Sequence, residues 1–237
     1  MIDKNIIDEI MIHATQHSPS ECCGVIILQN NSQKYCPCEN ISIDKDNFII
    51  SPVDFAKAED LGEVICIVHS HPISSPNPSH TDLVNIEATK LPWLIVTPGS
   101  NTFTYTEPSG FILPFVGRQF NHGIIDCYTL YRDYYKQVLN IEMKNYKRDT
   151  DWWIHSKDNL YVDNYEKEGF IQVFDGSIKE HDVLLMCVGS SKENHAAIYV
   201  GNNKILHHPM GRLSSIDVYG GWWQKITSQV IRHKDLV

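Results

Sequence analysis

Apolar positions in the first half of the chain follow two different periods. Ile2, Ile6, Ile7, Ile10 and Met11 recur at three-to-four spacing, which predicts an amphipathic first helix. Residues 25–28 (Val-Ile-Ile-Leu) and 64–68 (Val-Ile-Cys-Ile-Val) are instead continuous, apolar and rich in β-branching, as buried strands are. Ser51 followed by Pro52 opens a short helix running through Phe55 to Glu59. A further helix is expected over 81–90, and residues 93–97 and 102–106 alternate like strands. The N-terminal part therefore reads as a mixed α/β domain over residues 1–107.

Between 108 and 123 the chain is punctuated by Pro, Gly and Asn-His-Gly, too often for a long regular element. Phe111, Leu113, Phe115 and Phe120 supply apolar anchors, so this segment is expected to be a docked connector. A second domain then spans 124–237. It opens with a helix that starts near Cys127, in which Tyr131, Tyr134 and Tyr135 lie at core spacing. Residues 181–188 read as a strand. Residues 194–200 and 205–208, joined by a turn at 201–204, read as a β-hairpin. The expected fold class is α+β, with an antiparallel sheet and a helix-borne cysteine in the second half.

Composition narrows the choice. The chain has 237 residues, 42% of them hydrophobic, which allows two domains with cores of their own. No run approaches the roughly 18 uncharged apolar residues of a membrane span. The first eleven residues lack the basic-then-apolar pattern of a signal peptide, so folding in a reducing compartment is expected. Seven cysteines without regular spacing agree with that, and Cys36-Pro37-Cys38, which lacks the two-residue spacer of a redox or zinc motif, reads as incidental. A net charge of −9 with scattered Lys and Arg argues against nucleic acid as a partner.

The chemistry concentrates in two places. His69-Ser-His71-Pro, six further residues, Ser79, two more and Asp82 bring two imidazoles and a carboxylate into one short segment. Such a set closes three corners of a Zn2+ tetrahedron and leaves the fourth for water. His69 and His71 at a strand end point to the same side, and Ser79 to Asp82 has the spacing of a capping box. These residues resemble the metal-binding signature of the JAB/MPN (JAMM) metallopeptidase family. The resemblance implies a zinc cofactor held by His69, His71 and Asp82. It also implies Glu21, at the head of the 25–28 strand, as general acid/base, and Ser79 as a stabiliser of the tetrahedral oxyanion.

Cys127 at a helix N-terminus meets the positive end of the helix dipole, which favours thiolate. A hairpin carrying His195 on one arm can place a base beside it, with a second histidine orienting that base. A two-residue turn would put His208 on the face of His195, whereas a three-residue loop would put His207 there. This half resembles the NlpC/P60 cysteine peptidases, papain-like enzymes acting on bacterial peptidoglycan. The resemblance implies Cys127 as nucleophile, His195 as general base and His207 as its orienting partner. Thr129 departs from the small Gly or Ser usual two places after the nucleophile; a narrower groove is one consequence, but Thr is small enough to be compatible with activity. Trp152-Trp153 and Trp222-Trp223 suit either a groove lining or packing, and Arg212 either a substrate carboxylate or the surface.

The two halves in one chain of this length resemble the tail tip assembly family of lambda-like long-tailed phages. That resemblance implies peptidoglycan stem peptides and other phage tail tip proteins as partners, with synthesis in the host cytoplasm and action at the tail tip and cell wall. It implies cleavage of the stem peptide between D-Glu and the diamino acid, and a second zinc-dependent peptide or isopeptide hydrolase. Two other readings stay open: an assembly factor with silent sites, and a cellular JAMM isopeptidase with an accessory domain.

Overall fold

The amphipathic N-terminal segment forms α1 (Lys4–His17), and its apolar stripe of Ile6, Ile10 and Ala14 is buried. The computed structural model describes residues 2–43 and 47–237. In it the chain forms two units, Met1–Ile112 and Leu113–Val237.

In the first unit β1 (Cys23–Gln29), β2 (Ser32–Cys38), β3 (Glu63–Ser70), β4 (Trp93–Thr97) and β5 (Thr102–Thr106) form one sheet, in the order β2-β1-β3-β4-β5. Only β3 and β4 pair in parallel, and α3 (His80–Thr89) makes the crossover between them. The continuous apolar runs follow from burial of the sheet on both faces. Ile26, Cys66, Val68, Leu94 and Val96 pack under α1. Val25, Ile27, Ile67 and Trp93 pack with Ala58 of α2 (Pro52–Leu61) and Ile86 of α3. His69 lies two residues beyond Ile67 on β3, so the period of two sends it to the α2/α3 face.

Both helix starts are capped by their own side chains. The Ser51 side chain accepts from Asp54 N, and Ser79 forms a full capping box with Asp82. Helix α3 begins one residue before the expected 81 and stops where Lys90 turns into the left-handed region. The strand β2 carries Cys36-Pro37-Cys38 at the edge of the sheet, with Pro37 opposite Gly24. An edge position tolerates a proline.

In the second unit β6 (Phe170–Gln172), β7 (Val183–Met186), β8 (His195–Tyr199), β9 (Lys204–His207), β10 (Ser215–Val218) and β11 (Thr227–His233) form a sheet in the order β10-β9-β8-β7-β11-β6. Every pairing is antiparallel. The helix α4 (Cys127–Leu139) packs on one face through Leu130, Tyr131, Tyr134 and Tyr135, against Val183, Leu185, Ala196, Ile198 and Leu206. The expected strand over 181–188 is shorter at both ends. His181 sits at φ 75, and the Asp182 carboxylate leaves the sheet pattern to cap Lys179 N and to hold Arg232 through two 2.7 Å hydrogen bonds.

Residues of the expected connector are tied locally. Ser109 and Phe111 donate their backbone N–H groups to Glu87 in the first unit. Arg118, fully buried in the second, donates to the carbonyls of Leu113 and Pro114 and to Asp133.

Two candidate active sites

The register of β1 on β3 sets up the site of the first unit. Cys23 opposes His69, and Ser70 N donates to Cys22 O while Ser70 Oγ accepts from Cys22 N. Carried two residues further, this register brings buried Glu21 beside His71, on which it acts electrostatically. The loop after β3 is fixed by His71 N donating to Val96 O and by Thr97 Oγ1 donating to Ser74 O. The capping box then aims Asp82 inward: Ser79 N donates to Asp82 Oδ2 at 2.7 Å, and Asp82 N to Ser79 Oγ at 3.1 Å.

The three expected ligands converge. His69 Nε2 is 3.1 Å from His71 Nε2 and 3.4 Å from Asp82 Oδ1, and His71 Nε2 is 3.5 Å from Asp82 Oδ2. Ligand atoms bound to one zinc at 2.0–2.1 Å in a tetrahedron lie about 3.3–3.4 Å apart. The donor set therefore fits zinc in both chemistry and spacing. His71 Nδ1 donates to Ser75 O at 2.8 Å, which leaves Nε2 as the unprotonated nitrogen on the ligand side. His69 stacks on Phe48 and meets the edge of Trp93. Burial pulls its imidazole down to about 4 against the pull of Asp82, so it is neutral at pH 7, the form that binds a metal. Burial opposes ionisation of Asp82, but its contacts with His71, His69 and Ser79 prevail and hold it below the usual carboxylate range.

In the second unit the N-terminus of α4 is built around Asp126. Its side chain accepts from Thr129 N and from Gly123 N, both at 2.9 Å. Arg148, itself buried, donates through Nε to Asp126 Oδ2 at 2.7 Å and through Nη2 to Thr129 Oγ1 at 3.1 Å. Thr129 is thus turned towards Arg148. Cys127 Sγ lies 3.2 Å from the Tyr161 hydroxyl and close to the Ala196 amide.

The hairpin places the histidines. Val200 N donates to Lys204 O, so Gly201, Asn202 and Asn203 form a three-residue loop. Ala197 then pairs with His207, which puts His195 and His207 on one face. His195 Nε2 is 3.2 Å from His207 Nδ1. His208, one residue past the end of β9, is buried and edge-on to Phe120. Cys127, His195 and His208 all line a cavity of about 500 Å³, together with Trp152, Trp153, Trp222, Trp223 and Arg212. Burial pushes the Cys127 thiol up to about 11, Asp126 adding to the effect. Burial, with His207 and His208, takes His195 down to about 3. Both groups are therefore neutral at pH 7.

Sequence reasoning passed over two neighbours of this cluster. Tyr161 carries no local motif, and Asp217, whose Oδ2 lies 3.2 Å from His207 Nε2, belongs to a strand too short and too exposed to announce itself.

Comparisons with known proteins bear on both units. Residues 3–107 match the family of prokaryotic homologs of the JAB domain, and residues 117–232 match the NlpC/P60 family. The class of the chain is therefore a JAB-like domain followed by an NlpC/P60 domain. Tail tip assembly protein K of Escherichia phage N15 is 41% identical over 232 residues, covering 97% of this chain and 95% of its own length. Tail tip assembly protein K of Escherichia phage lambda is 41% identical over 185 residues, or 78% of this chain and 89% of its own. Among solved structures, an NlpC/P60 family protein from Bacillus cereus aligns with 94% of this chain and 66% of its own, at 14% identity and a TM-score of 0.33. The chain belongs to the family of these tail tip assembly proteins. No helix among the described residues is long and apolar enough to cross a membrane.

Proposed function

We propose that this chain works in phage tail tip assembly and carries a cysteine endopeptidase that opens peptidoglycan stem peptides during genome delivery. A second, zinc-dependent peptide or isopeptide hydrolase occupies its first unit. One observation carries the reading most: Cys127 at the head of α4 and His195, backed by His207, line one aromatic cavity of about 500 Å³. A cavity of that size takes a short peptide. The bond expected to be cut joins D-Glu to the diamino acid.

The chemistry follows from atoms on the chain. His195 takes the Cys127 thiol proton, and Sγ attacks the scissile carbonyl. The oxyanion is met by backbone N–H groups at the α4 N-terminus, and the Tyr161 hydroxyl stands 3.2 Å from the sulfur. The imidazolium of His195 passes its proton to the leaving amine, which leaves a thioester on Cys127. Water, deprotonated by His195, then attacks the thioester, and the thiol and the free acid are released.

In the first unit His69, His71 and Asp82 would hold the zinc ion. When bound, the ion supplies a Lewis acid that polarises a carbonyl and acidifies water. Glu21 accepts and returns the proton, and the Ser79 hydroxyl, which already accepts from Asp82 N, donates to the developing oxyanion.

The test is complementation of phage that lack this chain. With Cys127→Ala, particles are expected to assemble in normal number and to deliver their genomes poorly through an intact wall. Normal genome delivery by those particles would favour the silent-site reading.

A further inference from the structure

The relay of imidazoles in the second unit ends on a carboxylate. On β10 Ser215 opposes His207, so Asp217, two residues on, shares its face. Asp217 Oδ2 lies 3.2 Å from His207 Nε2, off the line of an ideal hydrogen bond, and its Oδ1 accepts from Ser215 Oγ at 3.0 Å. His207 itself is fully buried, with the Trp223 ring edge-on at 4.4 Å. We propose that Asp217 is a positioning residue that sets which nitrogen of His207, and through it which nitrogen of His195, carries the proton. The proposal rests on the cysteine peptidase reading above, because it concerns the base of that reaction.

An ionised carboxylate can only accept, so the nitrogen facing it, His207 Nε2, bears the hydrogen. Neutral imidazole has one N–H, which makes His207 Nδ1 an acceptor. The group 3.2 Å away, His195 Nε2, must then be the donor. His195 is left with an unprotonated Nδ1, on the side of the ring away from His207, able to take the Cys127 proton. In the opposite register His207 Nδ1 donates, His195 Nδ1 is already protonated, and no base faces the thiol. Asp217 decides between these states by its charge. Once His195 is protonated, the same carboxylate steadies the new positive charge through His207. The other charged or titratable groups at the relay are Arg212, with Nη2 3.9 Å from Asp217 Oδ2, and His208 and Asp126, both of which act on His195.

The test uses the full chain and its Asp217→Ala, Asp217→Asn, Asp217→Glu and His195→Ala variants, labelled with 15N-histidine. Long-range 1H–15N spectra report the tautomers. Iodoacetamide alkylation of Cys127, followed by peptide mass mapping between about pH 5 and 9, reports the base. In the wild type His195 and His207 are expected as Nε2–H tautomers, with an alkylation rate nearly independent of pH. Asp217→Ala is expected to move His207 towards Nδ1–H and to lower that rate about 10- to 100-fold. Asp217→Glu is expected to restore much of it, and Asp217→Asn, of the same shape, to give a mixture of tautomers without loss of fold. His195→Ala is expected to leave a rate that climbs about tenfold per pH unit. Unchanged tautomers and rate in Asp217→Ala, with the His195→Ala effect intact, would overturn the role of Asp217 alone. A pH-independent rate that survives His195→Ala would overturn the base role of His195, and with it the peptidase reading itself.

Discussion

Replacing Arg148 by Met removes the cation that neutralises Asp126 and leaves a carboxylate buried at the head of α4. Asp126 is 2% exposed and the Arg148 side chain is equally covered, so the carboxylate left behind is poorly hydrated. Breaking a buried pair on one side costs about 3–5 kcal/mol. The loss extends to the hydrogen bonds that Arg148 gives to Gly123 O and Thr129 Oγ1. With a urea slope of about 2 kcal/mol/M, the midpoint of the second unit should fall by roughly 1.5–2.5 M. Tryptophan fluorescence suits the assay, because Trp93 is the single tryptophan outside that unit.

The pH dependence checks the cause. In the wild type burial opposes ionisation of Asp126, but Arg148 and the capped amides prevail and hold its pKa below the unfolded value of about 3.9. Its contribution is therefore present above that value and lost as pH falls through the folded pKa. In Arg148→Met burial acts unopposed by a cation and raises the folded pKa. The variant then gains stability as pH falls through the raised pKa, and the gap to wild type narrows from there down towards the unfolded value of about 3.9. A loss below about 1 kcal/mol, or a gap that does not change with pH, would refute the argument that this ion pair builds the nucleophile's helix start.

Three further variants have expected outcomes. Ser79→Ala removes the cap of α3 and should cost about 1 kcal/mol, seen as an earlier thermal transition of the first unit. The backbone N–H of residue 79 still donates to Asp82 Oδ2 after this change, so zinc binding in a competition titration should stay near that of the wild type. His69→Ala should lower bound zinc, measured by elemental analysis, from one equivalent to none, with cleavage of stem peptides retained. Ile10→Ala opens a cavity between α1 and the sheet and should cost about 2–5 kcal/mol, read by denaturation of the first unit.

Legibility from sequence divided along the range of the interactions. The first helix, the strands around 25–28 and 64–68, the capping box at Ser79 and the helix start at Cys127 depend on neighbours a few residues away, and periodicity or capping chemistry exposes them. The histidine partner of His195 was a different case. Gly201-Asn202-Asn203 is compatible with a turn of either length, and one residue more or less exchanges His207 for His208 on the face. Only the paired register separates them. Arg148, Tyr161 and Asp217 reach the cysteine cluster across 10 to 34 residues of chain, and nothing in their local sequence marks them. The edge strand β2 was hidden for a related reason: its exposed positions and Pro37 remove the apolar signal by which buried strands are recognised.

The central claim is that the second unit is a cysteine peptidase of the cell wall, and mass spectrometry of murein stem peptides incubated with the full chain tests it most directly. Wild type and His69→Ala are expected to release the same fragments, cut between D-Glu and the diamino acid, and Cys127→Ala none. Fragments that persist with Cys127→Ala, or no cleavage by correctly folded wild-type protein, would contradict it.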